Sequence, residues 1–192
     1  MPMRTEQARS QRRDASRNVE RLVTAAARAV LRDGPRVPMA TIAQEAGVGV
    51  GTLYRHFPSR RALLDELTRR SFVTVQANAN TADREATHGV DALRRFVEAA
   101  VDQRNDLVLP LHGGPPVASA EVTALRAQVH ETVERMLARG RADGTIREDA
   151  SPDDVIALGA LLAQPRPVDP TWDATARRLL AVYLRGLAPE RG

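Results

Sequence analysis

Apolar residues recur along almost the whole chain at the spacing of an amphipathic α-helix. The segment at residues 17–33 illustrates it, because its apolar residues fall at i, i+3, i+4 and i+7 positions: Val19, Leu22, Val23, Ala26, Ala27, Val30 and Leu31. No segment has the alternation of apolar and polar residues that predicts a half-buried strand. The sequence therefore predicts an all-α fold, in a chain of 192 residues that is long enough to bury a sizeable core.

Local signals predict where the first helices begin and end. The first helix is expected over residues 17–33 with Ser16 as its N-cap, and the second over residues 39–46 with Pro38 at its first position. Gly47 suits the left-handed conformation that follows a helix end. These signals favour two helices joined by short connections.

A third, short helix is predicted from Gly49 or Val50 to Phe57, where Pro58 prevents its continuation. Ser59 is then expected to cap a longer fourth helix that carries Leu63, Leu64, Leu67 and Val75.

Four more helices are expected after a polar stretch at residues 78–89. They lie at about residues 93–101, 120–142, 155–163 and 171–187. Residues 107–118, LVLPLHGGPPVA, contain three prolines and two glycines and predict an irregular connection. Ser151 and Pro152 form a favourable start for the helix at 155–163.

Charge is distributed unevenly along the chain. Residues 1–71 hold 14 arginines and 7 acidic residues, a net charge of +7, whereas residues 72–192 hold 14 arginines and 17 acidic residues, a net charge of −3. A basic N-terminal part favours a polyanionic partner. The chain has no cysteine, no apolar segment of the signal-peptide type at its start and no apolar run long enough to span a bilayer. We therefore expect a cytoplasmic protein without membrane contact.

The stretch AGVGVGTLYRHFPSRRALL, residues 46–64, predicts a helix-turn-helix, because two short helices meet at a glycine-containing turn and arginines follow. Its second helix would enter the major groove of DNA. A glycine inside a helix costs ~1 kcal/mol relative to alanine, but without a Cβ atom the backbone at Gly49 and Gly51 can approach DNA closely. Leu53 and Phe57 would face the core. The outer flanks then carry groups that can donate to phosphate: Thr52, Tyr54, Arg55 and His56.

Residues 41–64, TIAQEAGVGVGTLYRHFPSRRALL, resemble the DNA-binding domain of the TetR family of bacterial transcriptional regulators. The resemblance extends over about residues 17–70. It implies that Thr52, Tyr54, His56 and Arg60 hold the DNA backbone, that Val50 and Gly51 face bases, and that Thr41 also contacts DNA. Two positions depart from the family pattern, since Gly49 stands where a serine or threonine often caps the helix and Arg60 stands where lysine is usual.

Three segments are expected on this basis. Residues 1–16 form a disordered basic arm, either solvated or in contact with DNA; residues 17–62 form the helix-turn-helix domain; residues 63–192 form a helical effector-binding and dimerisation domain. The stretch LPLHGGPP at residues 109–116 is similar to an actinobacterial subgroup with a short sensor domain. The resemblance implies a homodimeric repressor that a small-molecule effector releases from a palindromic operator on double-stranded DNA. A nonspecific architectural DNA-binding protein and a ligand-binding helical protein without DNA function remain alternatives.

Two further sets of residues are candidates in the C-terminal part. Core and pocket residues share the same composition, so each candidate for an effector pocket could instead be an ordinary core or surface residue. The candidates are Phe72, Phe96, Arg104, Leu107, Leu109, Leu111, His112 and Met136. The apolar helix at 155–163 and the last helix resemble the pair that forms the family's dimer interface, which implies these interface residues: Val155, Leu158, Leu162, Trp172, Leu179, Leu180 and Tyr183.

Enzymatic and metal-binding patterns are missing from the sequence. The glycines at 47, 49 and 51 follow a helix and have the wrong spacing for a dinucleotide loop. His130-Glu131 has no second histidine at metalloprotease spacing, and no G-x-S-x-G occurs. We therefore expect no catalytic residues, no metal and no cofactor.

Overall fold

Eight α-helices make up most of the chain in the computed structural model, which describes residues 3–110, 119–165 and 169–189, with side chains from residue 18 onward. The helices are α1 (Met3–Asp33), α2 (Met39–Glu45), α3 (Val50–His56), α4 (Arg60–Glu85), α5 (Gly89–Asp102), α6 (Ala120–Ala142), α7 (Pro152–Leu162) and α8 (Trp172–Gly186). No strand occurs in these ranges. The predicted all-α fold is confirmed.

The first helix is longer than the sequence signals predict. It begins at Met3, so Ser16 lies inside α1 and is not its N-cap. Residues 3–16 contain no proline or glycine and several strong helix formers, and nothing there ends a helix. The segment expected to be a disordered arm is thus continuous with α1. The side chains of its arginines, Arg4, Arg9, Arg12 and Arg13, lie outside the described residues.

A first hydrophobic core joins α1, α2, α3 and the start of α4. Its largest fully buried side chains are Leu22, Ile42, Leu53 and Leu63. Pro38 precedes α2 as its N-cap, one position before the predicted place, because its ψ of 138° is extended. Gly47 has a φ of +65°, as the turn between α2 and α3 requires.

Helix α4 passes from the first core into a second one. Ser59 caps it as predicted, with its Oγ atom 3.1 Å from the Ala62 nitrogen. The polar stretch expected to follow it is helical as far as Glu85, because Ala79 and Ala82 are buried in the second core. Leu63, Leu64 and Leu67 belong to the first core. The domain boundary expected after residue 62 therefore lies further along α4.

The second core is built from the end of α4 and from α5 to α8. Helices α5 and α6 cross closely where Gly89 meets Gly140, since a Cβ atom on Gly89 would lie 2.3 Å from the Gly140 nitrogen. The apolar faces predicted for α5 and α6 are buried, Phe96, Val97, Met136 and Leu137 among them. Residues of the second core also line a cavity that is described below.

The connection after α5 links the two cores. Val108 is fully buried in the first core, and its backbone N–H donates to Ser71 Oγ at 2.8 Å. Ser71 Oγ in turn donates to the Leu67 carbonyl at 2.9 Å. The described part of the connection, residues 103–110, contains no α-helix, as expected. Residues 111–118, with most of the LPLHGGPP stretch, lie outside the described residues.

Candidate functional site

Helix α3 presents one side to the first core and the opposite side to the exterior. Leu53 is fully buried and Phe57 is 7% exposed, which fixes the rotation of the helix. Val50 and Tyr54, four residues apart, are therefore exposed to 40% and 47%. Few large apolar or aromatic side chains of the described residues are exposed. The exposure of Val50 and Tyr54 therefore indicates a surface that is available to a partner.

The start of α3 is open on its outer side. A Cβ atom added to Gly49 or Gly51 would meet no heavy atom of the described residues within 4 Å. Neither glycine is needed for packing among these residues, and Gly49, as N-cap, provides no side-chain hydrogen bond to the helix. The space beside them is therefore open, and a close approach of DNA at this point stays a prediction.

The other predicted contact residues keep some or all of their exposure. Arg55 is exposed, and Thr41, Thr52 and His56 are half-buried. Tyr54 and His56 are thus both accessible from outside, and contact of this group with DNA stays a prediction.

Arg60 has a structural role that the sequence did not reveal. Its Nη1 atom donates to the carbonyl of Val37 and, at 3.3 Å, to that of Pro35. These bonds tie the first turn of α4 to the connection between α1 and α2. Contact of Arg60 with DNA stays a prediction.

Several exposed arginines of the N-terminal part have no acidic partner in the described part of the chain, unlike Arg61, Arg69 and Arg70 on α4. Arg21, Arg36 and Arg55 are exposed and form no ion pair or hydrogen bond there. A Cβ atom on Gly47 would lie 2.7 Å from Arg21 Nη2, which places this guanidinium at the turn of the helix-turn-helix. Sequence reasoning missed Arg21 and Arg36, because exposed arginines have no periodic signal.

On α4, by contrast, Arg61, Arg69 and Arg70 are ion-paired with acidic residues. Glu66 accepts hydrogen bonds from Arg69 and Arg70, at 2.7 Å from each Nε atom. Arg69 above all, together with Arg70, holds the pKa of the Glu66 carboxyl below its usual range. Arg70 also pairs with Glu20 on α1, and Arg69 with Glu121 on α6. This network joins α4 to both domains.

A cavity of about 400 Å³ lies between α4, α5, α6 and α7. Its walls are Phe72, Val75, Phe96, Ala100, Leu109, Pro110, Arg126, Val129, Ile156, Gly159, Ala160 and Ala163. Three residues predicted for an effector pocket are therefore in place, namely Phe72, Phe96 and Leu109.

The other described candidates for the pocket do not line the cavity. Leu107 and Met136 are fully buried packing residues. Arg104 is ion-paired with Asp173 and donates to the Val101 carbonyl. Leu111 and His112 lie outside the described residues. Long-range packing, which the spacing of apolar residues does not encode, decides which of them meet a cavity.

The predicted interface residues on α7 and α8 divide between core and surface. Val155, Leu162 and Leu180 are at most 3% exposed and belong to the chain's own second core, so they are corrected to core residues. Trp172 is half-buried and its Nε1 atom donates to the Leu162 carbonyl at 3.0 Å, which ties α8 to the end of α7. The prediction failed at these positions because α7 is apolar on nearly all sides.

An exposed apolar stripe lies on the other side of the same two helices. Leu179 is exposed to 46%, and Leu161 and Val182, which the sequence prediction did not include, are exposed to 52% and 56%. Half-buried Leu158 and Tyr183 lie in a groove of about 570 Å³ beside them. We call Leu158, Leu161, Leu179, Val182 and Tyr183 the α7–α8 stripe.

Two family models match the chain. One, described as bacterial regulatory proteins of the tetR family, matches residues 22–67, and the other, described as the C-terminal domain of SbtR-like transcriptional regulators, matches residues 90–189. The chain belongs to the TetR family. This family consists of transcriptional regulators, so the expectation that the chain is not an enzyme is confirmed.

Individual relatives agree with this assignment. The chain is 34% identical over 119 residues to the HTH-type transcriptional repressor KstR of Mycobacterium tuberculosis, over 59% of this chain and 53% of that protein. It is 36% identical over 88 residues to the HTH-type transcriptional repressor LfrR of Mycolicibacterium smegmatis, over 46% of this chain and 47% of that protein. The matched region thus spans about half the length of these relatives.

A solved structure shares the fold along nearly the whole chain. The TetR-family regulator PfmR from Thermus thermophilus superposes with a TM-score of 0.70 at 24% identity, over 88% of this chain and 99% of that one. Within the described ranges, no helix of the TetR-family chain is long and apolar enough to cross a membrane.

Proposed function

We propose that this TetR-family chain is a cytoplasmic, homodimeric repressor that binds a near-palindromic operator and leaves it when a small molecule occupies the cavity. The observation that carries the proposal is the outward side of α3, where Val50 and Tyr54 are exposed opposite buried Leu53. The relatives KstR and LfrR, both named transcriptional repressors, support it.

Each contact has a physical role. Val50 and Gly51, at the start of α3, can meet base edges, because no described residue covers them. Six other side chains carry hydroxyl, phenol, guanidinium or imidazole groups that donate hydrogen bonds to phosphates. They are Thr41, Thr52, Tyr54, Arg55, His56 and Arg60. A guanidinium has five N–H donors, so the bonds from Arg60 Nη1 to Val37 and Pro35 leave donors for a phosphate.

A second copy of the chain would cover the α7–α8 stripe. A two-fold axis brings the same surface of both protomers together, so each exposed apolar residue of the stripe is buried once in each protomer. Such a dimer would hold its two α3 helices about 34–36 Å apart, one turn of DNA, and would require an operator with two-fold symmetry.

The signal from the cavity would travel through α4 and the connection after α5. Phe72 and Leu109 line the cavity, and each is a direct neighbour of a residue fixed to the first core, Ser71 and Val108. A ligand that displaces these walls shifts α4 against the first core and changes the separation of the α3 helices. Such a coupling typically lowers affinity by ~1–3 kcal/mol.

The test is selection of bound duplexes from a random pool by the purified full chain, followed by binding to the selected duplex with candidate ligands. We expect a near-palindromic sequence whose occupancy falls when a ligand binds. Recovery of duplexes without sequence preference would favour an architectural protein. Ligand binding without any retention of DNA at low salt would contradict the proposal.

A further inference from the structure

The cavity between α4 and α7 combines apolar walls with a single charged side chain. Phe72, Phe96, Val129 and Ile156 are among its large apolar lining residues, and Arg126 is the one charged residue among its described lining residues. Arg126 is exposed and forms no ion pair or hydrogen bond within the described ranges. Its aliphatic stem can therefore lie along the apolar wall while the guanidinium stays in contact with solvent.

A second, more polar cavity of about 390 Å³ adjoins the first. The two share Phe72, Arg126, Val129 and Ile156, which places Arg126 where they meet. The second cavity also has Thr123, His130, Glu131 and Asp153 on its walls. His130 Nε2 lies 3.7 Å from Asp153 Oδ1.

We propose that the cavity binds a hydrophobic molecule with one anionic group, its apolar body lying between Phe72 and Phe96 and its anion paired with Arg126. This inference rests on the proposed function, because it assigns a ligand class to the effector cavity. Guanidinium groups bind carboxylates through two parallel hydrogen bonds, and such bonds are about twice as strong as neutral ones. The volume suits a small amphiphile, since ligand sites commonly span about 300–1,000 Å³.

The assay is isothermal titration of the full chain with dodecanoate and, in parallel, with its neutral analogue dodecanol. The variant is Arg126→Gln, and the matched control is Arg84→Gln, an exposed arginine on α4 that lines neither cavity. Ala160→Phe adds a bulky side chain to the cavity wall. Circular dichroism confirms that each variant is folded.

We expect Arg126→Gln to lower dodecanoate affinity at least tenfold relative to Arg84→Gln and to change dodecanol affinity less than twofold. Ala160→Phe should abolish binding of both. Equal effects of Arg126→Gln on the two ligands would overturn the anion assignment, and unchanged binding in Ala160→Phe would overturn the site. Absence of dodecanoate binding to the wild-type chain would overturn the inference. Selection of DNA duplexes by the same preparations, without ligand, tests the proposed function separately.

Discussion

The neighbouring residues Leu161 and Leu162 distinguish a dimer surface from the chain's own core. Leu161 is 52% exposed and lies on the α7–α8 stripe, whereas Leu162 is 3% exposed and belongs to the second core. If a second copy covers the stripe, Leu161→Ala should weaken dimerisation and leave the protomer folded. Leu162→Ala should lower the free energy of unfolding by about 2–5 kcal/mol, the usual cost of a large-to-small change in a core.

The size of the effect follows from the exposed fraction of Leu161. Complete burial of a leucine side chain is worth about 1.5–3 kcal/mol, so covering the half that is exposed contributes about 0.8–1.5 kcal/mol in each protomer. Symmetry doubles this to about 1.5–3 kcal/mol. Since 1.4 kcal/mol corresponds to a factor of ten, Leu161→Ala should raise the dimer Kd by about 10- to 100-fold.

Sedimentation velocity over a dilution series measures that Kd, and urea denaturation measures stability. Val73→Ala is the matched control, because Val73 is 44% exposed on α4, outside the stripe. We expect its dimer Kd to equal that of the wild-type chain. A Kd that Leu161→Ala leaves unchanged, or that Val73→Ala raises equally, would refute the assignment of the stripe.

Three other changes test separate parts of the structure. Gly89→Ala should lower the free energy of unfolding by about 1–3 kcal/mol, because the new Cβ atom would overlap the Gly140 backbone; an unchanged urea midpoint would contradict this packing. Arg69 lowers the pKa of Glu66 in the folded protein. The ionised carboxylate therefore stabilises the fold fully above the ordinary glutamate pKa, and this stabilisation is lost as the pH falls through the lowered pKa of the folded state. Glu66→Gln should thus flatten the fall in stability as the pH drops below the ordinary glutamate pKa; an unaltered pH profile would count against it. Arg55→Gln should weaken binding to all duplexes and reduce the salt slope of log K by about two, one for each protomer of the proposed dimer; a slope equal to wild type would exclude a phosphate contact.

Local signals were sufficient for the helix-turn-helix. Gly47, Pro58 and Ser59 act on the residues next to them, so the ends of α2 and α3 and the start of α4 could be predicted from the sequence. The outward position of Val50 and Tyr54 follows from the same helix, because Leu53 and Phe57 fix its rotation.

Features that depend on distant packing could not be predicted in the same way. Helix α7 is apolar on nearly all sides, and its packing against α5 and α6 decides that Val155 is buried while Leu161 is exposed. Arg104 and Arg126 are alike as sequence signals, yet Arg104 pairs with Asp173 and Arg126 borders the cavity. The start of α1 differs from the predicted one because a favourable cap at Ser16 does not prevent a longer helix.

The most direct test of the account is the operator affinity of Gly51→Leu, measured on the duplex selected by the wild-type chain, beside its free energy of unfolding. Because a Cβ atom on Gly51 would lie more than 4 Å from every heavy atom of the described residues outside its own helix backbone and chain neighbours, and because glycine is a poor helix former, the variant should be at least as stable as the wild-type chain. We expect its operator affinity to fall at least tenfold, since the side chain would occupy the space that DNA takes. Undiminished operator affinity in the folded variant would contradict the claim that the outer side of α3 lies against DNA.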